Sequence, residues 1–409
     1  MPGVAALARL RDKYWFLPAL AALTGLLAGI ALVAIDISVG DDWLGQFETL
    51  HGSRPEGARA MLSTIAGSTI TVAGVVFSIT LAAVTYASGQ HGPRLLTNFA
   101  RDRGNQLTLG VFIGTYVYCL IVLRTIRTAG EDGGASAFVP QFAVYGALGL
   151  ALASIGVLIY FFHHVTDTIH INNVIARIAR GLIAEIHRNE KDGLADTDAA
   201  RLSDPLDDVA VATLAADRAG YVESIDHEAL VALASKHDLK LCVQCRPGDF
   251  IRIGTPLLAI DAAQLPAHRD SLRDAFAIGD RRTDLQDLRF GFDELTEIAI
   301  RALSPGTNDP FTALACIDWL TAALSECERT VAPAAPTLGT VQSRVSAISL
   351  TFADFIAATF AKMRQHAATE VQVKSATLHA LETLAAGAMH PANRVLLMEE
   401  HARLAATLA

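Results

Sequence analysis

Four apolar blocks, each close to or above the length that crosses a bilayer, constrain this chain more than any other feature of its sequence. A helix needs about 20 consecutive apolar residues to span the hydrocarbon core of a membrane. The blocks cover about residues 15–37, 60–87, 107–123 and 138–162. Beyond residue 162, charged residues recur every few positions and no further apolar block is long enough. The sequence therefore predicts a membrane protein with four transmembrane α-helices in residues 1–162.

Cationic residues predict how these spans are oriented, because Lys and Arg in short loops resist translocation. The amino terminus, the loop between spans two and three, and the segment after span four are all rich in arginine. The loop between spans one and two is acidic. We therefore expect a multi-pass protein with both termini, and the whole region after the fourth span, in the cytoplasm.

The second span carries an unusual number of hydroxyl groups. Thr64, Thr71, Ser78 and Thr85 recur every seven residues, so they lie near one line of a helix with about 3.6 residues per turn. The complete stripe comprises Thr64, Ser68, Thr71, Val75, Ser78 and Thr85. Hydroxyl and small side chains are typical of contacts between helices in lipid, so packing is one interpretation.

The other interpretation of this stripe is a pore. Several copies of the second span around one axis would present rings of hydroxyl groups, which replace part of the hydration shell of an inorganic ion. The spans have no charged residue near their centres, whereas transporters often place ionisable groups there to couple transport to an ion. The pattern therefore favours a passive, homo-oligomeric pore over a pump.

Acidic residues near the outer end of the first span extend the pore hypothesis to its mouth. Asp36, Asp41 and Asp42 lie at or just beyond the end of this span. Carboxylates there would concentrate cations, although a solvated helix end is an equally good interpretation. Glycine pairs in spans one and three, Gly25 with Gly29 and Gly110 with Gly114, predict close helix packing instead.

A group of ionisable residues follows the fourth span. His163, Asp167 and His170 have the spacing i, i+4 and i+7, which places them on one helical face. Two imidazoles and a carboxylate in this arrangement suit a transition metal or a pH sensor. Hydrogen bonds to neighbouring helices or lipid headgroups are the alternative.

The region after the membrane domain divides into three parts. Residues 163–202 continue a helical pattern and predict a stalk, and residues 203–264 alternate apolar and polar positions between turns, as strands do. The phrase GDFIRIGTPLLAID resembles a hairpin of barrel-sandwich domains. Residues 265–409 have helical spacing. We therefore expect an α+β region, with a small β-barrel-like module and a helical bundle.

A dense turn interrupts the helical pattern of this last part. Pro and Gly end one helix, and Asn or Asp can cap the next, with Pro in its first turn. The turn residues are Ser304, Pro305, Gly306, Asn308, Asp309 and Pro310. They predict a structural corner or, alternatively, a contact that binds a ligand or controls gating.

The same corner carries a family resemblance. The stretch QDLRFGFDELTEIAIRALSPGTNDPFTA, after four spans and the GYV and RPGDFIRIGTPL phrases, resembles the predicted membrane proteins grouped as domain of unknown function 2254. The matching residues are Gln286, Asp287, Phe290, Gly291, Ser304, Pro305, Gly306, Asn308, Asp309, Pro310, Thr312 and Ala313. The resemblance covers nearly the whole chain and implies a bacterial inner-membrane protein without an assigned activity.

Several classes of function are disfavoured by the sequence. It contains no Walker loop, HExxH or GxSxG motif, so we expect neither an enzyme nor a bound cofactor. The cytosolic carboxylates have the spacing of a solvated helix face; they are Asp284, Asp287, Asp293, Glu294 and Glu297. A net charge of −9 argues against a nucleic-acid partner.

Two hypotheses remain. The first is a homo-oligomeric ion channel, selective for cations, in which the second span lines the pathway and the cytosolic domain gates it. The second is a membrane-anchored sensor or scaffold, whose cytosolic domain binds a ligand or a protein.

Overall fold

The structure is a computed structural model. It describes residues 15–39, 54–91, 102–128, 137–193, 211–262, 264–330, 338–342, 344–348 and 350–407. The chain divides into two compact units, Met1–His170 and Ile171–Ala409. We call them the amino-terminal unit and the carboxy-terminal unit.

The amino-terminal unit contains four helices that are long and apolar enough to cross a membrane, which confirms the four predicted spans. They are α1 (Phe16–Val39), α2 (Pro55–His91), α3 (Arg103–Thr125) and α4 (Gln141–Ile169). The helix α2 has 37 residues and is therefore about 55 Å long, well above the roughly 30 Å of the hydrocarbon core. Both α2 and α4 continue past the predicted apolar blocks, because their last turns are polar and give no apolar signal.

The helix α3 is the centre of the amino-terminal unit, since it packs against each of the other three spanning helices. The closest approach occurs at glycine: a methyl group on Gly25 of α1 would overlap the carbonyl oxygen of Gly114 in α3. A methyl group on Gly110 would lie 3.0 Å from the Cβ of Ala21. The glycines predicted to pack in spans one and three thus bring the backbones of α1 and α3 together.

The carboxy-terminal unit begins with α5 (Ile171–Gly193), which is separated from α4 by His170 alone. Its buried side chains include Ile175, Ala179, Leu182 and Ile186, a spacing of three and four residues that forms one apolar face. This face packs against α8 (Arg289–Ala302) and α9 (Pro310–Thr330). The first part of the predicted stalk is therefore a helix that packs on the unit's own core.

The strands of this unit form two sheets. The described strands are β1 (Val211–Ala215), β2 (Gly220–Ile225), β3 (Leu241–Val243), β4 (Phe250–Ile251), β5 (Pro256–Asp261), β6 (Phe276–Gly279), β7 (Leu338–Gln342) and β8 (Val345–Ile348). One sheet has the strand order β1-β5-β3-β8-β7 and the other has the order β4-β2-β6. All pairs are antiparallel except β3 with β8, which is parallel.

The predicted barrel-like shape is not supported, because the described strands form two open sheets and no closed barrel. The reason lies in the hairpin phrase itself. Strand β4 pairs with β2, whereas β5 pairs with β1 and β3, so the two arms of the phrase belong to different sheets. Three strands, β6 to β8, also lie after residue 264, in the part predicted to be helical throughout.

Helices complete the carboxy-terminal unit. Besides α5, α8 and α9 they are α6 (His227–His237), α7 (Arg269–Arg273), α10 (Phe352–Ala358), α11 (Phe360–Thr369), α12 (Val371–Gly387) and α13 (Pro391–Ala406). Phenylalanines fill the space between α8 and the helices α10 and α11. Phe292, Phe352, Phe355 and Phe360 are all fully buried. The rings of Phe292 and Phe355 lie 5.0 Å apart between centroids, a distance at which aromatic pairs attract.

Candidate functional site

The predicted pore-lining residues share one exposed face of α2. The six residues are Thr64, Ser68, Thr71, Val75, Ser78 and Thr85, and all are exposed in the protomer. The opposite face of α2 packs inside the unit, through side chains that include Leu62, Ala66, Ala73 and Val76. The stripe therefore points away from the protomer's own helix bundle.

Each hydroxyl of this stripe is satisfied by its own helix. The hydroxyls of Thr64, Thr71, Ser78 and Thr85 each donate to the carbonyl four residues earlier at 2.8 Å. Ser68 donates to the carbonyl of Ile65 at 3.0 Å. A hydroxyl that has donated its proton keeps lone pairs on its oxygen. The exposed line of α2 is therefore a row of acceptor oxygens that requires no second helix from the same protomer.

Glycines widen this face. Gly67 and Gly74 have no other atom within 4 Å of the position that a Cβ would take, so the surface above them is open. Phe77 and Leu81 stand exposed beside the stripe. The face thus combines small residues, hydroxyl oxygens and apolar side chains along a helix of spanning length.

Asp36 does not lie in a solvated mouth. It is 8% exposed, and its two carboxylate oxygens accept from the backbone N–H groups of Phe142 and Ala143 at 2.9 and 3.0 Å. These are orphan N–H groups in the first turn of α4. The structure thus gives Asp36 a capping role, in place of the solvent-facing position expected from the sequence. Asp41 and Asp42 lie outside the described residues.

The predicted metal ligands are not brought together as a set. His163 Nε2 lies 3.4 Å from Asp167 Oδ2, and both side chains are exposed. Among the described residues, no group of three or more His, Cys, Asp or Glu side chains is placed to hold a metal ion. His170 caps the end of α4 and is exposed. The spacing i, i+4 therefore produces an exposed pair at the helix surface.

The neighbouring histidine, His164, makes the contact that sequence reasoning missed. Its Nε2 lies 2.8 Å from Oδ1 of Asp102, the residue that caps α3. The same oxygen accepts from the backbone N–H groups of Gly104 and Asn105. The imidazole of His164 also stacks on the ring of Tyr160. This contact ties α3 to α4, and no local pattern in the sequence links positions 102 and 164.

Charged side chains converge in the carboxy-terminal unit. We call them the ion network: Arg246, Asp249, Arg282, Asp287, Arg289, Asp293, Asp354 and Lys362. They come from the turn before β4, the loop after β6, and the helices α8, α10 and α11. The network joins the sheets to the helical layer.

Aspartates form the centre of the network. The side chain of Asp287 is 0% exposed, with one oxygen 2.5 Å from Arg282 Nε and the other 3.4 Å from Arg289 Nε. Asp293 accepts from Arg282 at 2.5 Å and from Lys362 Nζ at 2.8 Å. Asp287, Asp293 and Glu294 are all buried, whereas Asp284 is exposed and Glu297 is half-buried. The interpretation as a solvated helix face was therefore wrong for three of the five carboxylates.

The pKa values follow from this pairing. Burial alone would lower the pKa of Arg282, but its hydrogen bonds to Asp287 and Asp293 outweigh burial and raise that pKa above its ordinary value. Burial alone would raise the pKa of Asp293, whereas hydrogen bonds from Lys362 and Arg282 lower it below its ordinary value. Both groups therefore remain charged inside the fold.

Glu185 of α5 lies beside the network and behaves in the opposite way. Burial raises its pKa from 4.5 to about 6, and the nearby Asp284 and Asp287 raise it while Arg188 lowers it. A neighbouring carboxylate disfavours the charged form of a carboxyl group and raises its pKa, whereas a neighbouring cation favours the charged form and lowers the pKa. The pKa of Glu185 is therefore raised, whereas that of Asp293 is lowered.

A cleft opens over the network. It has a volume of about 520 Å³ and is lined by Gly248, Arg282, Arg289, Asp293, Asp354 and Lys362, together with alanines of α10 and α11. The side chain of Lys362 is half exposed at its edge. The cleft offers charges of both signs to a small ligand.

Four of the residues behind the family resemblance, Gln286, Asp287, Phe290 and Gly291, lie in or beside this network. The side-chain amide of Gln286 accepts from Ile225 N–H at 2.9 Å and donates to Ile225 C=O at 3.2 Å, which fixes the loop to β2. The guanidinium of Arg282 lies 6.0 Å from the ring centroid of Phe290. A methyl group on Gly291 would lie 3.2 Å from Leu182 of α5. These residues position the network and the helix beside it.

The predicted turn between α8 and α9 is a tight corner. The N–H groups of Thr307 and Asn308 both donate to Ser304 C=O, at 3.0 and 2.9 Å. Asn308 has φ of +44°, a left-handed conformation that Asn adopts more readily than most residues. Asp309 then caps α9, since its carboxylate accepts from Thr312 N–H at 3.1 Å and from Thr312 Oγ1 at 2.5 Å. The predicted cap is therefore present at Asp309.

The fold defines a membrane protein with four spanning helices followed by a mixed α and β unit. The chain belongs to the family described as Predicted membrane protein (DUF2254), whose model matches residues 11–383. It is 30% identical to uncharacterized proteins of Mycobacterium bovis and Mycobacterium tuberculosis H37Rv, in matches that cover 96% of this chain and 75% of each relative. No solved structure matches the chain. The family resemblance seen in the sequence is thus confirmed.

Proposed function

We propose that this protein is a homo-oligomeric ion channel of the bacterial inner membrane, in which α2 lines the conducting pathway. One observation carries the proposal. The hydroxyl stripe of α2 faces away from the protomer's own bundle along its whole length, and its protons are already donated to the helix backbone. A face directed only at lipid gains nothing from such a row of oxygens.

A single copy of α2 encloses no pathway, so the proposal requires several copies around one axis. Closed rotational symmetry is the usual arrangement of identical subunits. The open surface above Gly67 and Gly74 allows the neighbouring copy to approach closely. Exposed Val75 and Phe77 would form the apolar rings at which such a pathway closes by dewetting.

The chemistry of the stripe favours cations. Acceptor oxygens suit a cation or a water molecule better than an anion. Asp36 contributes little to this preference, because its carboxylate caps α4. In the described part of the four spans, Asp, Glu, Lys, Arg and His lie only near helix ends. This distribution supports passive conduction, since no ionisable group at the midplane is present in these helices to couple transport.

Cysteine accessibility tests the pathway directly. Thr71→Cys and Ser78→Cys are expected to react with a water-soluble, membrane-impermeant thiol reagent in the assembled protein. Leu152→Cys is the matched control, because Leu152 is exposed on α4, lies in the middle part of its apolar block as Thr71 and Ser78 do in theirs, and is expected to face lipid. The five native cysteines are all buried, so the protein without an introduced cysteine gives the background rate of reaction. Equal rates at Thr71→Cys, Ser78→Cys and Leu152→Cys in an intact oligomer would remove α2 from the pathway.

Blocking the pathway gives a second test. Ser78→Trp should abolish ion flux into proteoliposomes while the oligomer stays intact, and Leu152→Trp should leave the flux unchanged. Reversal potentials measured under ion gradients should show cation preference. Anion preference would refute the proposed role of the hydroxyl oxygens.

One observation favours a second function, a membrane-anchored sensor or scaffold. The cleft of about 520 Å³ over the ion network presents Lys362, Arg289 and Asp354 to a ligand of mixed charge. This alternative predicts a small molecule that copurifies with the protein, is visible by native mass spectrometry and is lost in Lys362→Ala. A protein without flux but with such a ligand is a sensor, whereas flux without the ligand supports the channel.

A further inference from the structure

The cleft over the ion network keeps hydrogen-bonding groups that the network itself does not use. Three cations and two carboxylates line it, namely Arg282, Arg289, Lys362, Asp293 and Asp354. An arginine side chain has five N–H donors and a lysine has three, so the ion pairs of the network occupy only part of each group. The unused donors and acceptors determine which ligand the cleft can hold.

Unused donors lie on all three cations. Arg282 donates to two aspartates through Nε and Nη1, and Arg289 donates through Nε and Nη2. Within the described part of the chain, no hydrogen bond uses Nη2 of Arg282 or Nη1 of Arg289. Lys362 gives one of its three N–H groups to Asp293. The cleft therefore offers charged donors to a carboxylate, and such charge-assisted hydrogen bonds are stronger than neutral ones.

An unused acceptor lies on Asp354. Its Oδ2 accepts from the N–H and the hydroxyl of Thr351 at 2.8 and 2.9 Å and from Arg246 Nη1 at 3.1 Å, whereas its Oδ1 accepts no hydrogen bond from the residues that the structure describes. Burial alone would raise the pKa of Asp354, but hydrogen bonds from Thr351 and the pairing with Arg246 lower that pKa below its ordinary value. Asp354 thus stays charged and keeps one oxygen for a cationic group.

The rest of the lining is small and largely apolar. Ala357, Ala358 and Ala361 line the cleft from the last turn of α10 and the first turn of α11. Their methyl groups offer surface to an aliphatic group but form no hydrogen bonds. A methyl group on Gly248 would overlap the carboxylate of Asp287, so glycine lets the turn before β4 approach the network closely. At about 520 Å³, the cleft has the size of a small-molecule site.

We infer that the cleft binds a free amino acid with a short aliphatic side chain, an inference that rests on the sensor proposed above as the second function. The carboxylate of the amino acid accepts from Arg282, Arg289 and Lys362. Its ammonium group donates to Asp354, and its side chain packs on the alanines. Because the ion network has four cations and four carboxylates, a ligand without net charge keeps it balanced, whereas a simple anion or cation does not.

Isothermal titration calorimetry on the full chain in detergent tests this ligand class with three probes. L-leucine carries both charges, 4-methylpentanoate lacks the ammonium group, and 3-methylbutylamine lacks the carboxylate. Leucine should bind at least about tenfold more tightly than either analogue, because each analogue leaves charged groups of the cleft without a partner. Equal binding of leucine and 4-methylpentanoate would overturn the inference and assign an anion to the cleft, which still agrees with a sensor.

Variants locate the binding site. Asp354→Asn should bring the preference for leucine over 4-methylpentanoate from about tenfold to about onefold, since it removes the charge that pairs with the ammonium group. Ala357→Leu fills the cleft without breaking an ion pair and should weaken leucine binding about tenfold through steric overlap. It keeps the test open if loss of the Asp354 cap unfolds α10. The control is Asp318→Asn, at an exposed carboxylate of α9 outside the cleft, which should change neither affinity.

The remaining outcomes separate this inference from the sensor itself. Leucine binding that survives both Asp354→Asn and Ala357→Leu would place the amino acid elsewhere and overturn the inference. Failure of all three probes to bind would overturn it as well. A copurified ligand of other chemistry, lost in Lys362→Ala, would then still support a sensor, whereas the absence of any such ligand would remove both.

Discussion

The two units satisfy their polar groups in opposite ways. On α2 of the amino-terminal unit, each hydroxyl of the stripe is satisfied within one helical turn, by a carbonyl three or four residues earlier. In the carboxy-terminal unit, the buried Asp293 is satisfied by Arg282 from the loop after β6 and by Lys362 from α11. The buried Asp287 combines a local bond from the N–H of Arg289 at 3.1 Å with an ion pair to Arg282. A Ser or Thr hydroxyl that donates to a carbonyl of its own helix needs no partner from another element. A buried network instead depends on the completed fold.

We expect the largest loss of stability where buried polar groups depend on hydrogen bonds that form only in the completed fold. Asp287→Ala leaves Arg282 and Arg289 without their shared carboxylate in a buried place, which should lower the free energy of unfolding of the carboxy-terminal unit by about 3 kcal/mol. Urea unfolding followed by circular dichroism measures this loss. The control is Arg329→Ala, which breaks an exposed pair with Glu326 and should cost less than about 0.5 kcal/mol. Equal effects would mean that the network contributes no more than a surface pair.

A smaller effect is expected from backbone contact in the membrane. Gly25→Ala places a methyl group against the carbonyl oxygen of Gly114 and should destabilise the helix bundle by about 2 kcal/mol. Heating in the presence of a thiol reagent, with the modified peptides mapped by mass spectrometry, should show earlier exposure of Cys119, which is fully buried in α3.

The paired substitution is Gly67→Ala, on the open face of α2. It should leave the protomer unchanged, because nothing lies within reach of the new methyl group. If Gly67→Ala dissociates the assembled protein while Cys119 stays protected, then a second copy packs on this face. If it exposes Cys119 as readily as Gly25→Ala does, then the face of α2 that carries Gly67 is not free in the protomer.

Removal of the cap on α4 should have a smaller effect again. Asp36→Ala takes away the acceptor for two N–H groups, those of Phe142 and Ala143, at a cost of about 1 to 2 kcal/mol. The same thiol assay on Cys119 measures this cost. A change in ion selectivity without any change in stability would instead support a position of Asp36 at the mouth of a pore.

The smallest effect concerns pH. Glu185 has a folded-state pKa of about 6 against an ordinary 4.5, so its contribution to stability is full below about pH 4.5 and is lost as pH rises through about 6. Glu185→Gln should therefore stabilise the carboxy-terminal unit at pH 7 by about 1 kcal/mol, after allowance for partial exposure, and leave it unchanged at pH 4. Urea midpoints at both pH values measure the difference. Glu228→Gln, at an exposed site, should shift neither midpoint.

The contrast between the units also explains what the sequence could predict. The four spans are recognised from the length of the apolar blocks and the hydroxyl stripe from a seven-residue recurrence, and both are local properties of the sequence. The ion network depends on contacts such as Lys362 with Asp293, which are 69 positions apart. Charges on one helix have the same spacing whether they face water or a partner. The spacing of Asp287, Asp293 and Glu294 therefore gave no indication that they were buried.

The strands that the sequence analysis failed to predict were missed for a related reason. β6 and β8 have only four residues each, too few for a period of two to stand out among helices. β6 pairs with the distant β2, and β8 pairs with the distant β3 as well as with its neighbour β7. Asp102 and His164 illustrate the same limit in the membrane unit, where a cap and a histidine meet across 62 positions.

The parallel pairing of β3 with β8 sets the order in which the carboxy-terminal unit can be completed during synthesis. Leu241 lies opposite Val345, so one side of β3 has its partner only after more than a hundred further residues have been made. Until then β3 presents unpaired N–H and C=O groups, the kind of edge that recruits other chains. Such long-range pairing is slow to form. A chain truncated before residue 338 would keep all four spans but expose this edge permanently, and it should aggregate at the membrane surface rather than fold.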